Sequence, residues 1–309
     1  MIECIRYRGW NNCCKLSNGT VELVVLADVG PRVIFYGFQG GENQFHEVEE
    51  DAGQTGTTKF RLYGGHRLWV SPEVDRTYFP DNSPVAVSEL GKTVRFTAPR
   101  EDAPPGTGLQ KEFEIELAPS GSAVRVTHRI TNHGTQPSVL APWSPTMMRE
   151  GGRGILPLPP RHTMDKDHYQ PVGVFGVWSF TDFADPRWHL GTDFIQLSQS
   201  ASPTGRFREQ MGGIFNPAGW GAYVRQGVLF IKRAQVVAGA SYPDFGCNFE
   251  LFTNPEFLEL ETLGPMVELK PGETVQHVER WSLFANVPDR QDEEWVRNTV
   301  VPYIAKSDA

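Results

Sequence analysis

The chain has 309 residues, 39% hydrophobic and 21% charged, with a net charge of -8. That balance, without any basic run or lysine-rich helix, argues against nucleic acid and against an anionic membrane surface as partners. No window approaches the roughly 18 apolar residues of a membrane-spanning helix. The opening MIECIRYRGWNNCCKL lacks the apolar core of a secretory signal, so a cytoplasmic location is expected.

Glycine and proline number 31 and 24 and are spread along the chain, as many turns between many strands require. Cys4, Cys13, Cys14 and Cys247 show no metal-type spacing, and reduced thiols are expected. In chain order, Val21-Glu-Leu-Val-Val-Leu26 reads as a buried strand, followed after a Gly-Pro break by Arg32-Val-Ile-Phe-Tyr36. Lys92–Thr97 alternates. Phe113–Leu117 and Val124–Ile130 alternate on either side of the turn Ala118-Pro-Ser-Gly-Ser122, which predicts an antiparallel hairpin. His128 falls in phase with Val124, Val126 and Ile130, so it reads as a sheet histidine.

Residues 151–202 break this rhythm. The segment is rich in Gly, Pro, Asp and aromatic residues and is expected to wall a site. Its Arg161–His168 stretch gathers His162, Asp165, Asp167 and His168, but their spacing matches no metal motif, and solvated loop residues are the simpler reading. Beyond it, Ala222–Arg225 and Val228–Lys232 predict a second hairpin around Gln226-Gly227. The closing strands are 248–253, 257–262 and 274–284, with the turn Lys270-Pro-Gly-Glu273 before the last. One helix is predicted over 289–305, with Trp295, Val296, Val300 and Ile304 as its apolar stripe and a break or kink at Pro302. With no repeat and no linker, residues 1–309 read as a single all-β domain.

Glu259 and Glu261 alternate with Leu258 and Leu260. In a strand the leucines enter a core while both carboxylates project from the other face, a plausible floor for a polar ligand. Asn248 opens the preceding strand. The Tyr63-Gly-Gly-His66-Arg67-Leu-Trp69-Val-Ser-Pro-Glu73 stretch places polar and aromatic chemistry beside glycines.

Several of these segments together resemble the galactose mutarotase (aldose 1-epimerase) superfamily. The resemblance is carried by Asp28-Val-Gly-Pro-Arg-Val-Ile with Gly-Glu-Asn43, by Leu62-Tyr-Gly-Gly65, by Ile-Thr-Asn-His-Gly within 127–137, and by Leu260-Glu-Thr262 with Pro271-Gly-Glu273. It implies a β-supersandwich of two large antiparallel sheets whose concave face binds carbohydrate. It also implies anomer interconversion by acid/base opening of the sugar ring, a mechanism needing no cofactor. Glu261 is the implied base, its pKa raised by neighbouring Glu259. Where the family carries a histidine, this sequence has Trp143 or Ser144, so His66 is the preferred replacement acid. Trp69 and Trp143 are expected to stack on the sugar. Arg67, Glu73, Lys232, Asp244, Asn248 and Glu259 are expected to hold its polar groups. Two alternatives stay open: a sugar-binding or sensing module without turnover, and a lyase or isomerase that sets Arg67 and Lys232 against a uronate carboxylate.

Overall fold

A computed structural model describes residues 2–102 and 106–307. Among them the strands form three antiparallel sheets. A ten-stranded sheet runs from Trp188–Leu190 at one edge to Ala86–Leu90 at the other. Its centre is the predicted hairpin, Leu109–Leu117 with Val124–Asn132, joined by Thr274–Phe284, Val228–Ala234 and Trp220–Arg225. Alternation sets its inward face. Phe113, His128 and His277 lie in register, as do Ile115, Val126 and Glu279, so apolar and polar side chains share one interior.

The facing sheet has the order Phe175–Val177, Gln210–Ile214, Phe249–Thr253, Leu258–Leu263, Ser138–Met148 and Val267–Leu269, with Trp69–Ser71 also pairing Ser138–Met148. Between the two large sheets lies the main core, including Leu251, Leu258, Leu260, Phe113, Val126, Phe230 and Trp281, all buried. The sheets approach closely where side chains are absent: a Cβ on Gly221 would lie 2.8 Å from Leu260 Cδ1. A four-stranded sheet made of Ile2–Tyr7, Trp10–Ser17, Val21–Leu26 and Arg32–Phe38 is tied on through His66, which bridges Val33 on one side and Thr146 on the other.

The C-terminal helix starts at Glu293, after Asp292 accepts a hydrogen bond from the Trp295 N–H at 2.7 Å. The predicted stripe of Trp295, Val296, Val300 and Ile304 packs on Ala222, Val224, Leu229 and Ile231, covering the outer face of the ten-stranded sheet. The expected break at Pro302 is absent. Residues 296–300 form a π turn, and Pro302 sits at the start of the helical turn Val301–Lys306. The wider turn relieves the clash of the proline ring and the loss of its N–H donor, so the backbone stays helical. The four cysteines are free, with Cys4 exposed and the others buried. No helix among the described residues is long and apolar enough to cross a membrane.

Candidate functional site

The outer face of the second sheet carries a buried carboxyl cluster, and strand register explains it. Glu250 pairs directly with Glu261, and Glu261 with Pro145 on the next strand. Glu259 is two residues from Glu261 and shares its face, as does Trp143, two residues from Pro145. Leu258 and Leu260 point the other way and are fully buried. Glu259 and Glu261 are 7% and 1% exposed, so the face that carries them is itself covered.

Each carboxyl has a defined neighbour. Trp143 donates its indole N–H to Glu261 Oε2 at 2.5 Å. Arg67 donates to Glu259 Oε1 at 3.0 Å and lies over the Trp69 ring, 3.6 Å from its centroid. Trp69 in turn meets Phe60, Tyr78 and Trp143. Burial, and then Glu259, hold the Glu261 carboxyl well above the usual range, against the opposing pull of Trp143, Lys232 and Arg67. Burial, and then Glu261, Asp244 and Glu73, push Glu250 well up, its carboxyl set opposite that of Glu261 on the paired strand. Of the two, Glu261 is the one whose ionised form is favoured, by the Trp143 N–H and the charges of Lys232 and Arg67. Burial also lowers the Arg67 guanidinium to about 10.

Asp244 reaches this group from a turn in which it and Phe245 both have positive φ, 50° and 62°. Its carboxyl lies beside Ser71 and is raised by burial and by Glu73. Glu73 is exposed and accepts from the Tyr78 phenol. The 151–202 segment, read from sequence as irregular, contains the strands Arg153–Pro157, Phe175–Val177, Trp188–Leu190 and Phe194–Ser198, and its Gly176 abuts the Asp244 carbonyl and the Cys247 sulfur, bordering the turn that carries Asp244. The His162–His168 stretch is exposed, with its two imidazoles stacked 4.2 Å apart and His168 on Asp165.

Two expectations need correction. His66 is not beside the carboxyls. It neighbours Arg67 but points to the opposite face, between the sheets, and is 0% exposed. Lys232 lies there too, fully buried, with its ammonium 3.0 Å from Glu279 Oε1 and donating to Ser144 O, Leu260 O and Thr146 Oγ1. The protons in this network can be assigned from its acceptors. His128 Nδ1 faces the His277 carbonyl and must carry a proton, so its Nε2 accepts from His66 Nε2 at 2.7 Å. His66 Nδ1 then accepts from the Thr146 hydroxyl at 2.8 Å. Glu279 accepts from Trp281 Nε1 and from Thr262. Neither His66 nor Lys232 can reach a ligand on the carboxyl face.

His66, His128 and Glu279 form the one metal-type trio among the described residues, their ligand atoms lying within 4.8 Å. The proton between the imidazoles and the ammonium on Glu279 already saturate them, so the trio is a hydrogen-bonded support. Asn248 is also committed elsewhere: it accepts from the Asn216 N–H at 2.6 Å and donates to the Asn216 carbonyl. Trp69 and Trp143, 8% and 5% exposed, serve as walls for Arg67 and Glu261. A cleft of about 480 Å³, lined by Phe60, Leu68, Tyr78, Phe79, Arg76 and Lys111 among others, shares Phe60 and Tyr78 with this aromatic wall. Sequence reasoning missed Glu250. The available signal was its position one residue into the strand Phe249–Thr253, alternating with Phe249 and Leu251 as Glu259 and Glu261 alternate with their leucines.

No family model and no curated protein matches the sequence. Solved structures share the fold. A galactose mutarotase-like protein from Lactobacillus casei ATCC 334 superposes with a TM-score of 0.55 at 12% identity, over 88% of this chain and 100% of that one. A galactose mutarotase-like protein from Clostridium acetobutylicum gives 0.55 at 11% identity, over 92% and 98%. A TPR-domain containing protein from Parabacteroides distasonis ATCC 8503 gives 0.55 at 16% identity, over 90% of this chain and 48% of that one, so this chain spans about half of its length. The chain has the galactose mutarotase-like fold, an all-β arrangement of large antiparallel sheets.

Proposed function

We propose that the chain binds a sugar at the carboxyl face and interconverts its anomers, with Glu261 as base and Glu250 as acid. The observation that carries this reading is a pair of buried carboxyls directly opposed on adjacent strands, of which Glu261 alone accepts an N–H, from Trp143. Ring opening needs a proton taken from the anomeric hydroxyl and a proton given to the ring oxygen. Both oxygens are bonded to the same carbon, and residues paired across two strands have Cβ atoms about 4.5–5.5 Å apart. One such pair can therefore serve both oxygens from one side. Once the open aldehyde has rotated about its C1–C2 bond, the transfers run backwards and leave the pair in its starting state. Trp143 stabilises the ionised base, while Arg67 offers N–H groups to ring hydroxyls. Glu250 replaces His66 as the acid.

A second reading, binding without turnover, is favoured by one observation: Trp143 or Ser144, neither of which gives up a proton at neutral pH, stands where the resemblance places an ionisable histidine. The uronate-acting alternative loses support, because Lys232 lies behind the sheet and Arg67 is already paired.

The test is NMR exchange between α and β anomers over a panel of neutral and amino sugars, uronates and sugar phosphates. Acceleration for one sugar, lost in both Glu261→Gln and Glu250→Gln, is the expected result. Ligand line-broadening without acceleration for any sugar would leave the binding module.

A further inference from the structure

Five acids meet at the proposed sugar site. Glu250, Glu259 and Glu261 project from two paired strands. Asp244 comes from the turn before the first of these, and its carboxyl reaches Ser71, two residues from Glu73. Arg67 is the cation that meets them from the same face, and it is already ion-paired with Glu259 and stacked on Trp69. Lys232, the other cation whose charge acts on Glu261, is held by Glu279 on the opposite face of the sheet.

A second observation points to a ligand. Glu250 Oε1, on a residue 1% exposed, has no hydrogen-bond partner. Neither do Nε and Nη1 of Arg67, also 1% exposed. Buried polar atoms are almost always paired, so these atoms call for a partner that both donates and accepts. Sugar hydroxyls do both. The remaining choice is the sign of the ligand's charge. A carboxylate or phosphate would add negative charge to five acids, whereas an ammonium donates three hydrogen bonds into them.

We propose that the site takes a sugar bearing a protonated amino group, with its ammonium seated among Asp244, Glu73 and Glu250, and that it excludes uronates and sugar phosphates. This rests on the sugar-site reading above but not on its catalytic part.

The experiment is titration calorimetry on the full chain with glucosamine, galactosamine and mannosamine, the corresponding neutral and N-acetylated sugars, glucuronate and glucose 6-phosphate. It is run at about pH 6, below the range of about 7.7–8.0 for an α-amino group. One amino sugar should bind about tenfold or more tighter than its neutral and N-acetylated counterparts, with the anionic sugars not binding. Asp244→Asn and the surface variant Glu73→Gln, each checked for native circular dichroism, should reduce that preference. An amino sugar no tighter than its N-acetyl form, or binding of the uronate or phosphate, overturns the proposal. Anomer exchange of a neutral sugar without amine preference leaves the epimerase reading standing and removes this one. Amine preference without exchange does the reverse, and no binding by any sugar removes both.

Discussion

The carboxyl pair sets the expectations at the scale of single residues. Glu261→Gln and Glu250→Gln should each lower anomer exchange by about 10²–10⁴-fold, the usual contribution of a positioned acid or base. Trp143→Phe removes the N–H that stabilises ionised Glu261, so the acidic limb of the pH–rate profile should move to higher pH. A purely structural role for the indole would lower the rate equally at every pH. Behind the sheet, Lys232→Met leaves Glu279 buried without its ammonium and should cost about 3–5 kcal/mol in urea unfolding. The faces of Glu259 and Glu261 follow from their alternation with leucines. That His66 and Arg67 face opposite ways follows from alternation, but which of the two enters the space between the sheets is set by the pairing of His66 with Val33 and Thr146.

Among the elements, the Leu62–Gly65 turn has the tightest requirement. Gly65 has φ 70°, and a Cβ there would lie 2.3 Å from the Val33 carbonyl oxygen, beside the Val33–His66 bridge that ties two sheets together. Gly65→Ala should therefore lower thermal stability well beyond the ~1–3 kcal/mol of left-handed backbone alone. Gly121→Ala, with φ 73° and open space around its Cβ, should cost only about 1 kcal/mol. Comparing the two melts separates the close approach from the backbone conformation. The hairpins 109–132 and 220–234 were legible because alternation and turn residues are local signals. The unbroken helix through Pro302 was not, because the π turn that accommodates the proline has no local signature.

Over the whole molecule, opposing groups set the pH dependence of stability. Burial lowers His128 and His277 to about 3 and His66 well below its usual value. Between about pH 6.5 and 3 the unfolded chain binds more protons than the folded one. Each histidine thus contributes stability that is present above pH 6.5 and lost on acidification, at roughly 1.4 kcal/mol per pH unit. Glu250 acts in the other direction. Burial and like charge hold its folded value above the unfolded 4.5, so its contribution is complete below pH 4.5 and lost as pH rises through the folded value. Melting temperatures should fall steeply below about pH 4.5, where the histidines act unopposed, and decline again on the alkaline side. Glu250→Gln should reduce the alkaline decline and leave the acid limb unchanged.

The amino-acid sequence by itself determined the all-β class, two of the hairpins, the apolar stripe of the C-terminal helix and the side of the strand on which Glu259 and Glu261 stand. These follow from local geometry, since alternation, turn chemistry and helical spacing act within a few residues. Tertiary structure alone decided which polar residues meet. Glu250 joins Glu261 through strand register. Arg67 reaches Glu259 across 192 positions of sequence, and Lys232 is drawn into a core network with Glu279 and three histidines. Long-range register and the pairing of two sheets set those neighbours, and the burial that pairing imposes makes a side chain either a proton donor at a site or a support behind it.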